Sequence, residues 1–186
     1  MNHRQHSRHA VIVGASYAGL VAAAGLRCNG WTVEIVEKST ERLRTGGGVV
    51  VQTRMLDYLE KHGVAFPGVA SVPAVQRRIY RKDGTMMRMP ESAAAYTSWD
   101  VLLRELEQVV GPEHIRRGVS MVDIPDWGAA GSVLLDTGET ASGDVVVAAD
   151  GIGSRARSLL LPGIQPQYAG YVAWRGMVAE SQLSTD

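Results

Sequence analysis

Few folds accept the order of features around Gly14-Ala-Ser-Tyr-Ala-Gly19. A β-branched run, His9-Ala-Val-Ile-Val13, leads into this segment, and an Ala- and Leu-rich stretch, Leu20 to Asn29, leads out of it. The first run has the pattern of a buried parallel strand, because apolar residues fall on both of its faces. Gly14 to Gly19 reads as a turn. Leu20 to Asn29 reads as a helix with Gly30 placed to end it. Thr32-Val-Glu-Ile-Val-Glu37 then reads as a second strand. Strand, glycine turn, helix and strand fit within the roughly 30 residues of a βαβ crossover. Arg4 and Arg8 ahead of the apolar run, with Ala22-Ala23-Ala24 inside it, also resemble a secretory signal. The ordered glycines and the acid-ended strand favour a folded unit, with residues 1–8 as a disordered leader.

The turn has a specific chemical use. In a dinucleotide-binding unit the first glycine permits the tight turn and the second lets backbone approach a pyrophosphate. The third lets helix and strand pack closely. Gly14 and Gly19 take the first and third places, and Ser16 stands where the second glycine usually is. Its hydroxyl is a phosphate donor in its own right, and Tyr17 and Ala18 complete the loop. A glycine turn alone is weak evidence, since glycines also serve packing in unrelated folds. Glu37 sharpens it. It ends the second strand, where a carboxylate accepts from both ribose hydroxyls, with Lys38 beside it. A carboxylate there disfavours a 2′-phosphate and hence NADP at this position.

Further along, Gly46-Gly47-Gly48 leads into Val49-Val50-Val51, and Thr53 to His62 reads as a helix. Val75 to Arg81 and Thr85 to Met89 flank the hairpin signal Lys82-Asp83-Gly84. Trp99 to Val110 carries apolar residues at helical spacing and is stopped by Gly111-Pro112. Ile115 to Ile124, Val133 to Thr137, Asp144 to Ala149 and Tyr168 to Val178 read as strands. The Asp144 strand reads as buried and runs into Asp150-Gly151-Ile-Gly153-Ser154-Arg155-Ala-Arg157. Its acid, glycines and arginines sit where open α/β sheets bind ligands. An ordinary strand-to-helix turn with solvated arginines is the plainer alternative.

With both motifs in view, the chain resembles the N-terminal part of the class A, p-hydroxybenzoate hydroxylase-like flavoprotein monooxygenases, especially those acting on hydroxylated pyridines. The resemblance runs from Ala10 to Val178. It implies a Rossmann-like α/β fold with a mainly parallel sheet, and FAD as cofactor. It implies NAD(P)H as a transient co-substrate, with O2 and a small aromatic molecule as reactants. Asp150, Gly151, Ser154 and Arg157 match the family segment near the pyrophosphates, and Gly48 matches the stretch near the flavin. Residues 9–165 are then the FAD-binding domain, with 73–97 contributing to the substrate side, and 166–186 begin an incomplete substrate-domain sheet. The sequence departs from the family at Trp99, where an FAD-contacting Arg is common. It departs again in having no Gly-Asp-Pro second FAD segment.

Composition narrows the partners. Lys+Arg and Asp+Glu both total 19, so no basic surplus recommends nucleic acid or an anionic membrane. The lone Cys28 fits a reducing, cytoplasmic setting. His62 and His114 have no partner at catalytic spacing, so no catalytic side chain is named and no metal site is expected. Two readings stay open: the FAD-binding region of an aromatic hydroxylase, or an inactive or partner-dependent dinucleotide-binding fragment. Either a homodimer or a complementing C-terminal half would be the protein partner.

Overall fold

The structure is a computed structural model and describes residues 8–42, 47–51, 53–61, 71–74, 78–87, 94–126, 131–174 and 180–182. The βαβ unit opens it: β1 (His9–Val13), α1 (Tyr17–Cys28) and β2 (Thr32–Glu37). Both strands have the bounds expected from sequence, whereas the helix begins three residues earlier than predicted. The turn is therefore only Gly14 to Ser16, and Tyr17, Ala18 and Gly19 form the first helical turn. Gly30, at φ +78°, follows the helix end as expected. Arg8, assigned to the leader, is tied to β2 because its carbonyl accepts from Thr32 N at 2.9 Å. Residues 1–7 lie outside the described residues.

A small antiparallel sheet follows. It is built from β3 (Gly48–Val50), β4 (Val72–Ala74) and a later strand, with α2 (Thr53–Lys61) between the first two. The hairpin around Lys82-Asp83-Gly84 forms with short arms, β5 (Ile79–Tyr80) and β6 (Met86–Met87). Its expected outer ends, Val75 to Arg77 and Arg88 to Met89, lie outside the described residues, as does His62. The third strand of the small sheet, β7 (Ala94–Ser98), pairs with both β3 and β4. It runs directly into α3 (Trp99–Val110), whose bounds match the expectation. Ser98 caps α3, its hydroxyl accepting from Val101 N at 3.2 Å.

The predicted strand Ile115–Ile124 is two strands in different sheets. β8 (Ile115–Arg117) pairs in parallel with β2, while β9 (Met121–Asp126) pairs with β10 (Gly131–Leu135), which in turn pairs with β11 (Thr140–Gly143). Gly118, at φ +71°, turns the chain between the two sheets. β12 (Val145–Ala148) returns to pair with β1, and α4 (Arg155–Leu160) follows. The main sheet has the order β12-β1-β2-β8 and is parallel throughout.

β12 corrects the expectation of a buried strand. Within the described residues it is an edge strand and its valines are only half-buried, since β1 covers one side alone. The expected strand Tyr168–Val178 is also not formed over residues 168–174. A strand needs a neighbour to satisfy its N–H and C=O groups, and among the described residues no strand pairs with this segment. Residues 175–178 lie outside the described residues.

Alternation along β1 explains the layering. Ala10 and Ile12 face a core completed by Leu20 and Ala23 of α1 and by Leu102 and Leu106 of α3. Val11 and Val13 face the opposite core, made with Met121, Val133 and Leu135 of the β9–β11 meander and Ala156 of α4. The sheet is thus covered by helices on one face and by an antiparallel meander on the other, and both cores stop at the C-terminal ends of β1 and β2.

A buried carboxylate locks α3 against this framework. Glu107 is 6% exposed. It accepts from Arg117 of β8 at 2.7 Å and from Arg42, in the loop after β2, at 3.1 Å. Glu107→Ala removes the acid shared by the two arginines. Both arginines keep partial access to water, so the loss falls below the roughly 3–5 kcal/mol of a fully buried broken pair. Urea unfolding is expected to register a drop of about 2 kcal/mol. An unchanged midpoint would show the pair to be energetically idle.

Candidate dinucleotide site

The strand ends are stitched together one residue beyond the ladder. Gly14 N donates to the Val36 carbonyl at 2.8 Å, Ala149 N to Val13 at 2.9 Å and Val119 N to Glu37 at 3.1 Å. These bonds bring the exits of β1, β2 and β12 into one cleft of about 220 Å³. Gly14, Ser16, Glu37, Lys38, Ser39, Val119 to Met121, Asp150, Gly151, Gly153 and Arg155 take part in its lining. Sites for whole drug-sized ligands occupy roughly 300–1,000 Å³, so this cleft suits one end of a dinucleotide. It lies where a parallel sheet changes direction, with β2 and β12 on opposite sides of β1.

Two glycines make the cradle. Gly14 has φ +106°, and a Cβ there would approach the Ala149 carbonyl oxygen to 2.5 Å. A Cβ on Gly19 would drive far inside contact with the Gly14 carbonyl oxygen. The helix can therefore start hard against the strand only because both positions lack a side chain. Ser16 is the exposed N-cap residue of α1, and its hydroxyl makes no capping bond. The first helix-closing bond is Leu20 N to the Ser16 carbonyl. The N–H groups of Tyr17, Ala18 and Gly19 consequently have no carbonyl within the helix, the arrangement that favours a bound phosphate.

Glu37 reaches back over the turn. One carboxylate oxygen accepts from Ala15 N at 2.7 Å and the other from Ser39 N at 2.9 Å. Two oxygens offer about four acceptor sites; Ala15 N, Ser39 N and the Ser39 hydroxyl take three, so one is open to a further hydroxyl and a second opens if the Ser39 hydroxyl turns away. Burial works against the charge on Glu37. The N–H groups of Ala15 and Ser39, the Ser39 hydroxyl and the Arg117 charge outweigh it and hold the carboxyl below the ordinary glutamate range. The acid is held as an ionised acceptor.

The second motif is held by hydrogen bonds within itself. Asp150 lines the cleft, yet its carboxylate is already engaged. One oxygen accepts from the Ser154 hydroxyl at 2.6 Å and the other from Ala156 N at 3.1 Å. Ser154, buried, in turn accepts from Arg157 N at 2.9 Å. The pair caps α4 and fixes the loop through Gly151, whose φ is +80°. Arg157 bonds the Ile152 carbonyl and is not among the lining residues, whereas Arg155 is. Gly48 stands apart on β3, in the small sheet. Tyr17, Ala18 and Gly19 form the first turn of α1 and are not among the lining residues, and Tyr17 packs its ring against Trp99, 6.0 Å between centroids. Ser39, Ser120 and Arg155 were not singled out from sequence. Ser154→Ala should cost about 1 kcal/mol by loss of the cap, read as a small fall in the thermal midpoint.

Comparison with known proteins gives the site its lineage. The profile of a family described as FAD binding domain matches residues 8–185. The chain belongs to that family. This FAD binding domain is 31% identical over 176 residues to 2,6-dihydroxypyridine 3-monooxygenase of Paenarthrobacter nicotinovorans, covering 94% of this chain and 44% of the relative. It is 32% identical over 169 residues to 2-heptyl-3-hydroxy-4(1H)-quinolone synthase of Mycobacteroides abscessus, covering 83% and 43% respectively. The solved 2,6-dihydroxypyridine-3-hydroxylase of Arthrobacter nicotinovorans superposes with a TM-score of 0.76 at 31% identity, over 88% of this chain and 42% of that one. The chain therefore spans less than half the length of these relatives, and its fold is that of their FAD-binding region. No helix among the described residues is long and apolar enough to cross a membrane. Among them there is also no cluster of His, Cys, Asp and Glu fit for a metal.

Proposed function

We propose that this chain forms the FAD-binding part of a monooxygenase that hydroxylates an aromatic or N-heteroaromatic ring using NAD(P)H and O2 in the cytoplasm. The observation that carries the reading is Glu37, ionised and clamped over the glycine turn by Ala15 N and Ser39 N with acceptor capacity left over. In this reading Glu37 takes the adenosine ribose, Lys38 and Ser39 border it, and Gly14, Ser16 and the first turn of α1 take the pyrophosphate. Asp150, Gly151, Ser154 and Arg157 brace the loop on the other side, and Gly48 belongs to the flavin end. FAD, when bound, would supply the redox chemistry, and the part of these residues would be to position it and to limit water around it. A hydroxylated pyridine-like ring is the substrate class favoured by the similarity to the dihydroxypyridine enzyme.

A second reading, a partner-dependent fragment, has one observation in its favour. Leu160, Leu161, Ile164, Tyr168, Tyr171, Val172 and Trp174 are all at least half exposed, with Trp174 at 94%. So much apolar surface on one segment suits burial against a complementing segment or a second copy. Purification tests the first reading. The chain is expected to be yellow, or to become so with added FAD, and to release FAD on denaturation. Colourless protein that takes up no flavin, alone or with a C-terminal half supplied, would contradict it.

A further inference from the structure

We infer that Arg155 forms the outer wall of the adenosine pocket and stacks its guanidinium plane on the adenine ring. The inference rests on the cleft being the adenosine site argued above. Of the two arginines in the segment after Asp150, only Arg155 lines the cleft. Its Nε donates to the Val122 carbonyl at 3.1 Å, which ties the head of the side chain to the end of β9 that also presents Ser120 and Met121 to the cleft. Its Cα end is fixed as well, because Asp150 and Ser154 clamp the start of α4 on either side of it. A guanidinium held at both ends presents a flat, weakly hydrated face, and a purine is a natural partner for such a face. The pyrophosphate already has the first turn of α1, whose N-cap Ser16 lines the same cleft. Arg155 is thereby left to the base.

The test is ADP and FAD titration of the full chain, with Arg155→Ala and Arg155→Lys compared with the unaltered protein. Base stacking of this kind predicts a loss of about tenfold in affinity for both ligands in Arg155→Ala. Arg155→Lys should lose nearly as much, because lysine keeps the charge without the plane. The dependence of ADP binding on salt should stay the same in both variants. Full affinity in Arg155→Lys with loss in Arg155→Ala would overturn the inference in favour of a phosphate contact. Unchanged binding in both would make Arg155 a solvated surface residue. If the unaltered chain binds no ADP, the adenosine reading of the cleft itself fails, and the inference with it.

Discussion

Gly19→Ala is expected to lower the stability of the chain by about 3 kcal/mol, at the upper end of what overpacking costs. The atom that the new methyl would strike is the backbone oxygen of Gly14, not the end of a flexible side chain. Relief therefore requires α1 to move off β1. That movement opens the core through Ile12, whose Cγ2 lies only 3.3 Å from the same point. Alanine is a better helix former than glycine by about 1 kcal/mol, so a stabilising result would be the outcome for an ordinary helical glycine. Urea denaturation separates the two directly. The same substitution should abolish ADP binding even at low temperature, since it displaces the N–H groups at the start of α1.

Glu37→Ala is expected to weaken ADP or FAD binding about a hundredfold. Two hydrogen bonds to a charged acceptor are each worth roughly 1.5–3 kcal/mol; the lower figure applies at a half-buried site, and part of it is returned by water. Glu37→Gln should fall between, because its one amide oxygen replaces only one of the two acceptors facing Ala15 N and Ser39 N, and its amide nitrogen donates and cannot accept. The pH response follows from the sign of the shift. Glu37 titrates below its unfolded value, so its ionised form adds stability that is present above the ordinary glutamate range and is lost as pH falls through the lowered value. Affinity should hold from neutral pH down through about 4.3, the usual glutamate value, and decline only beyond it. The Glu37→Gln protein should show no such decline while it remains folded. A decline centred above the usual value would contradict the clamp at Ala15 and Ser39.

Legibility in the sequence followed the range of the interactions. β1, β2 and α3 were readable to the residue because their patterns are local: β-branched runs ended by glycine or acid, and an apolar helix stripe closed by Gly-Pro. Glu37 was readable for the same reason, as it sits at a strand end at a fixed remove from the turn. β9 was not. Ile115, Val119, Met121, Val122 and Ile124 spread apolar residues along the whole run, and only the positive φ of Gly118 reveals that Val119 to Met121 leave the main sheet to wall the cleft. Ser39 and Ser120 were missed with it. The helix start was missed because propensity penalises glycine, whereas Gly19 is helical here for the sake of contact with β1. Arg155 and Arg157 could not be ranked from spacing alone. Their difference lies in which carbonyl each side chain reaches, Val122 or Ile152. Glu107 lies on the buried side of an amphipathic helix with Leu103, Leu106 and Val110, and only the approach of Arg42 and Arg117 from elsewhere in the chain accounts for it.

The central claim is that the cleft at the ends of β1, β2 and β12 holds the ADP moiety of FAD. Titrating the purified chain with FAD, ADP and NAD side by side, with Glu37→Ala as control, tests it most directly. FAD and ADP should bind, compete with each other and both be lost in Glu37→Ala, with NAD weaker than either. Tighter binding of NAD than of FAD, or FAD binding that survives Glu37→Ala undiminished, would contradict the account.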